Sequence, residues 1–192
     1  MTHTVIIPER LKITPEQFTQ IAIANRDLRL EQTVTGELII MPPTGGNTGK
    51  RNSTLNARFV LWNEQTQLGE VFDSSTAFRL PNGAARSPDI AWVRRDRWDA
   101  LTPAQQETFP PLCPDFVLKL RSKTDSLSDL QAKMQEYLAN GLQLGWLINI
   151  QGKTVEIYRA AQPMEQRDRP DTLDGEAVLS QFTLELGSIW DN

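Results

Sequence analysis

The chain is poor in the two side chains that most often carry catalysis. Its 192 residues include one cysteine, Cys113, and one histidine, His3. A lone cysteine allows no intramolecular disulfide and no cysteine-based zinc site. A lone histidine near the N-terminus, where chains are least ordered, leaves no histidine base, Ser-His pair or two-histidine metal site. No stretch approaches the roughly 20 apolar residues that cross a bilayer. The opening MTHTVIIPERLKITPEQF has no basic run and only the short apolar run Val5–Ile7, so it does not read as a secretory signal. Positive charge is also in deficit, with 20 Lys and Arg against 24 Asp and Glu and a formal net charge of −4. That excludes a coat-like nucleic-acid binder held by bulk charge, but it leaves room for a local basic cleft. A soluble, cytoplasmic protein with no membrane partner is expected. Any chemistry must come from carboxylates, lysines, arginines and hydroxyls.

The hydrophobic content, 39%, supports one ordinary core, and no linker or repeat interrupts the chain. One domain over 1–192 is expected. Thr14-Pro-Glu-Gln opens a helix that ends near Asn25-Arg26. Leu28–Glu31 and Glu37–Met41 read as a hairpin turning at Thr35-Gly36. Pro42-Pro43-Thr-Gly-Gly is a loop. Asn47 to about Gln67 reads as a long helix with Thr48, Leu55, Phe59 and Trp62 at helical spacing. Glu70–Asp73, Ala77–Leu80 and Asp89–Val93 read as strands, with a short helix near Thr102-Pro103. Asp115–Arg121 is a strand with Phe116, Leu118 and Leu120 on one face and Val117, Lys119 and Arg121 on the other. Ser126 to Asp129 suits a capping box for a helix with an apolar stripe of Leu127, Leu130, Met134, Tyr137 and Leu138, stopped at Asn140-Gly141. Leu144–Ile150 and Thr154–Arg159 form a hairpin about Gln151-Gly152. Residues 160–176 read as a polar surface excursion, and Val178–Leu186 as a last strand region. This order describes an α/β protein, a mixed β-sheet flanked by helices in an α+β sandwich.

Candidate chemistry gathers between Arg86 and Lys133. Asp89 opens one strand, and Lys119 and Arg121 share a face of another, with Lys123 in the loop beyond. Lys133 lies beside Leu130 and Tyr137 at the edge of the helix stripe, so its ammonium is able to turn toward the sheet. With Arg86, five basic groups surround one carboxylate if these segments are neighbours. Anion or phosphate binding is the physical reading of such a cluster. Each residue also has a plain structural reading: a loop Asp, solvent-reaching lysines, a helix-capping Asn47, tryptophans in the core and a packed Cys113.

Together these segments resemble a known family. Ser87-Pro-Asp89-Ile-Ala-Trp, Cys113-Pro-Asp-Phe-Val-Leu-Lys-Leu-Arg-Ser122, Lys133-Met-x-Glu-Tyr137, Asn140-Gly-x-x-x-Gly-Trp146-Leu-Ile and Val155-Glu-Ile-Tyr158-Arg are similar to the Uma-type restriction endonucleases of the PD-(D/E)XK nuclease superfamily. The resemblance runs from about Thr14 to the C-terminus. It implies a restriction-endonuclease-like fold and hydrolysis of DNA phosphodiester bonds, often by a homodimer. It also implies a site in which two acids hold Mg²⁺ and a lysine assists. Asp89 matches the Pro-Asp acid and is the one expected metal ligand. Lys119 stands where the family has a strand Glu, Arg121 stands at the usual Lys position, and Lys133 matches a helix lysine able to replace it. Asn47 falls where relatives carry a Glu after Gly-Gly. Asp89, Lys119, Arg121 and Lys133 are therefore the catalytic candidates, and Arg86, Lys123 and Asn47 the substrate-binding ones. A lysine ammonium about 4 Å from Mg²⁺ is repelled by on the order of 8 kcal/mol even at an effective dielectric near 20. A pairing of Lys119 with Asp89, in the metal's place, is expected. Three functions stay open: a Mg²⁺-dependent endonuclease, an inactive relative that binds nucleic acid or another anion, and an interaction protein that kept only the fold.

Overall fold

The computed structural model of the protein describes residues 12–191, so His3 and Val5–Ile7 lie outside the described residues. The first helix, α1 (Pro15–Ala24), starts as its sequence dictates. Thr14 accepts from the Gln17 backbone, the Gln17 side chain accepts from the Thr14 backbone, and Pro15 sits in the first turn. A hairpin follows, β1 (Arg29–Gln32) and β2 (Leu38–Met41). The long helix α2 (Gly46–Thr66) comes next. After it come β3 (Gly69–Asp73), β4 (Phe78–Arg79), β5 (Ala85–Arg86) and β6 (Ile90–Arg94). Two short helices, α3 (Arg95–Asp99) and α4 (Pro103–Gln106), lead to β7 (Phe116–Arg121) and α5 (Leu127–Ala139). The chain continues as β8 (Leu144–Asn149), β9 (Thr154–Arg159), β10 (Glu165–Asp168), β11 (Thr172–Asp174), β12 (Thr183–Glu185) and α6 (Gly187–Trp190).

Six strands form the main sheet in the order β10-β9-β8-β7-β6-β3. Its neighbours are antiparallel except β7 and β8, which run parallel because α5 crosses between them. Period-two alternation splits β7 between two cores. Phe116, Leu118 and Leu120 join Leu55, Phe59 and Trp62 of α2 and Phe182, Leu184 and Trp190 of the C-terminal segment. Val117 joins Leu130, Met134 and Tyr137 of α5 on the opposite face. Both faces are covered, so β8 is buried along its whole length.

A second sheet, ordered β2-β1-β5-β4, carries α1 over a smaller core of Ile13, Phe18, Leu30 and Ala85. It matters because β1 pairs with β5, just upstream of the Pro-Asp turn.

Several expectations need correction. Residues 160–176 are not a plain excursion: β10 completes the edge of the main sheet by pairing with β9, and β11 pairs with β12. β5 is too short to show any alternation, and α3, which starts at Arg95, is a polar single turn without an apolar stripe. The α5 capping box is half formed: the Asp129 backbone N–H donates to Ser126 Oγ at 3.4 Å, and the sequence carries no Glu or Gln at that position to reach back. Gly141, at φ +107°, ends α5 in the left-handed conformation its sequence demands.

Candidate active site

The strand alternation that buries Phe116, Leu118 and Leu120 turns Lys119 to the α5 side of the sheet. Asp89 stands one residue before Ile90, whose register partner is Leu118. The two side chains therefore meet: Lys119 Nζ lies 3.2 Å from Asp89 Oδ2, with 11% and 16% of the respective side chains exposed. The same Oδ2 accepts the Leu120 backbone N–H at 2.7 Å. Asp89 Oδ1 has no hydrogen bond or ion pair among the described residues.

This pair lines a cleft of about 770 Å³. One wall is Ile39–Pro43, another is the start of α2 with Asn47, Thr48 and Arg51, and a third is Lys119–Asp125 with Lys133. Six basic side chains line it, Arg29, Arg51, Lys119, Arg121, Lys123 and Lys133, against two acids, Asp89 and Asp125. A cleft with that balance concentrates anions despite the acidic net charge.

The structure places the expected residues as follows. Asp89, Lys119, Arg121, Lys123, Lys133 and Asn47 all line the cleft. Arg86 does not. It is buried and lines an adjoining pocket with Lys133 and Glu136, with Nη1 3.2 Å from Glu31 Oε2 and Nε 2.5 Å from Glu136 Oε2. A guanidinium held by two carboxylates is not available to a substrate, so its place is in the scaffold. Asn47 is not the helix cap. Gly45 takes that position, and Asn47 lies exposed within the first turn of α2. Arg121 donates to the Asp125 backbone carbonyl at 3.2 Å and to Asn149 Oδ1 at 3.3 Å. Lys123 is exposed and makes no ion pair among the described residues.

One acid was missed by the reading from sequence. Glu31 of β1 is 1% exposed and reaches under the cleft. Its Oε2 accepts Lys133 Nζ at 2.7 Å and Arg86 Nη1 at 3.2 Å, and its Oε1 accepts the Ser87 backbone N–H at 3.0 Å. The signal for it was the imbalance itself, since several partly buried cations around one carboxylate require a further anion. Burial works to raise the Glu31 carboxyl. The charges of Lys133 and Lys119, with hydrogen bonds from Lys133 and Ser87, outweigh it and hold the group below the usual carboxylate value. For Lys119, burial disfavours the charge, but Asp89 and Glu31 more than compensate and push the ammonium up. Tyr137 is kept neutral, chiefly by burial and then by the Glu31 charge.

The donor set can be tested against Mg²⁺, which asks for about six oxygen ligands in near-octahedral order. Asp89 has one free oxygen, and both Glu31 oxygens are taken by cations and an N–H. Asp125 Oδ2 accepts the Ser122 backbone N–H at 2.8 Å. Asp115 is committed elsewhere, to Arg97 at 2.8 Å and the Arg94 backbone. Among the described residues no group of three His, Cys, Asp or Glu side chains is placed to hold a metal ion. With the Lys119 ammonium on Asp89, the residues present do not suit the divalent cation.

Comparison with known proteins now carries weight. The family of putative restriction endonucleases named Uma2 matches residues 15–187. The chain belongs to that Uma2 family. Among solved structures it is similar to a putative nuclease belonging to DUF820 from Anabaena variabilis ATCC 29413. The TM-score is 0.77 and the identity 20%, over 93% of this chain and 97% of that one. That likeness establishes a shared fold. No curated protein matches the chain. Among the described residues, no helix of this Uma2 member is long and apolar enough to cross a membrane.

Proposed function

We propose that the cleft holds the phosphodiester backbone of DNA without cutting it, as a non-cleaving member of a nuclease family. The observation that carries this reading is the Lys119 ammonium 3.2 Å from Asp89, on the floor of a cleft with six basic and two acidic side chains. An ammonium stabilises a phosphate oxygen as a divalent cation would, but it cannot polarise and deprotonate a bound water. The chain keeps the charge needed to bind a phosphate and lacks the acids needed to activate a nucleophile through metal. Lys119 supplies the floor, Arg121 and Arg51 the flanks, and Lys123 and Arg29 the exposed rim. Asn47, neutral where the family resemblance implies an acid, adds no repulsion toward the anion. A cytoplasmic setting belongs to the same proposal.

Two assays test it. Binding of a fluorescent DNA duplex is expected to persist in EDTA and to weaken steeply with salt, by about 0.9 in log–log slope per phosphate contacted. Supercoiled plasmid is expected to stay intact with Mg²⁺ or Mn²⁺. Nicking that disappears in Asp89→Ala would establish metal-dependent cleavage instead.

A further inference from the structure

Lys133 lines the same cleft, yet its ammonium is spent on the protein itself. It sits 2.7 Å from Glu31 Oε2, with 23% of its side chain exposed. Glu31 receives an ammonium, a guanidinium and a backbone N–H, the set of donors that grips a phosphate oxygen in anion sites. A carboxylate of the chain fills that cradle from below.

We propose that Glu31 is an internal counter-anion that withholds Lys133 from nucleic acid, and so sets how many phosphate contacts the cleft makes. This rests on the reading that the cleft receives a DNA backbone. If Lys133 swung to a phosphate, Glu31 would be left buried with Arg86 as its one directly bonded side-chain cation, and Arg86 is already shared with Glu136 as Lys119 is with Asp89. A buried carboxylate that loses its shortest ion pair is destabilised, so the ammonium stays where it is. Burial would tend to neutralise Glu31, but the surrounding cations keep it ionised at neutral pH. The contrast within the cleft is direct: Lys123 and Arg29 are exposed and make no ion pair among the described residues. Glu31 also accepts from Ser87, two residues before Asp89, so one buried acid fixes both the Pro-Asp turn and Lys133.

The test is fluorescence anisotropy on a 20-base-pair duplex in EDTA, across about 50–200 mM salt. Glu31→Gln keeps the shape and removes the charge. The expected result is tighter binding at low salt and a log–log slope steeper by about 0.9, one added phosphate contact. Adding Lys133→Met to that variant should abolish the gain. A residue that only supported the scaffold would give the opposite sign, so weaker binding by a folded Glu31→Gln protein overturns the proposal. Lys133→Met alone provides an arm independent of how Glu31→Gln folds. A slope close to wild type supports the proposal, and one flatter by about 0.9 overturns it, because Lys133 would then already contact DNA. Failure of the wild-type protein to bind duplex at all overturns the cleft reading and this inference together, whereas a wrong slope overturns this inference alone.

Discussion

Lys119 and Asp89 form a largely shielded ion pair, Nζ to Oδ2 at 3.2 Å, in which the aspartate oxygen also caps the Leu120 backbone N–H. The pair places a fixed positive charge against a cleft carboxylate that keeps a free oxygen. At Asp89, cation binding is therefore opposed by the Lys119 ammonium.

Lys119→Glu reverses that charge and puts a second carboxylate beside Asp89. Titration calorimetry with Mn²⁺ is expected to show no binding by the wild-type protein and binding by the variant in the millimolar range or tighter. At about 4 Å and an effective dielectric near 20, the change from a repelling ammonium to an attracting carboxylate is far larger than the roughly 4 kcal/mol that millimolar affinity requires. Equal heats from the two proteins would show that Lys119 does not control cation access.

The buried and exposed ion pairs should behave differently. Arg86 is 8% exposed and joins Glu31 to Glu136. Arg86→Met leaves both acids short of a partner and is expected to cost about 3 to 5 kcal/mol in urea unfolding. Arg94 and Asp96 pair with 58% and 64% of their side chains exposed. Arg94→Ala is expected to leave the unfolding midpoint unchanged, since such pairs are screened by water. A smaller effect at Arg86 than at Arg94 would contradict the buried network.

The same network predicts the pH profile of stability. Glu31 has a folded-state pKa below its ordinary value of 4.5, so the stability it contributes is present above 4.5 and is lost as pH falls through the lower folded value. Lys119 has a folded-state pKa above 10.5, so its contribution is present below 10.5 and is lost as pH rises beyond the folded value. Chemical denaturation should therefore show a plateau through the neutral range with a fall at each end. In Glu31→Gln the acid-side fall should shrink, and an unchanged acid limb would remove Glu31 from that transition.

Cys113 should be chemically silent. It is 1% exposed, and burial pushes its thiol up to about 12. At pH 8 the thiolate fraction is on the order of one in ten thousand. A disulfide reagent such as DTNB should leave the native protein unlabelled for an hour and titrate one thiol at once in guanidinium. Rapid native labelling would contradict the packing of Cys113 against the Tyr137 carbonyl.

Much of the site follows from local pattern. Alternation along Phe116–Arg121 and the turn Ser87-Pro88-Asp89 place Lys119 opposite Asp89, and the apolar stripe of α5 puts Lys133 at its inner edge. The burial of Arg86 is not legible locally, because it depends on Glu31 and Glu136, which lie 55 and 50 residues away. Glu31 was missed for a related reason. In β1, Leu30, Glu31 and Gln32 are all buried, because the strand is covered on both faces by elements its own sequence does not announce. An acid in a short polar-ended strand reads as solvent-facing until the cations above it are counted. β10 was missed because a wholly polar edge strand, Glu165–Asp168, needs no apolar pattern when one side of it faces water.

The span of the Glu31–Lys133 contact, 102 residues, bears on how the protein is made. During synthesis the first hairpin and the Asp89 strand emerge well before α5, so the lower half of the charge network waits for its last cation. Closing so long a loop carries an entropic cost that the ion pair alone does not offset. The Lys133 side of the cleft is accordingly complete only when residues 102 positions apart in the chain have been brought together.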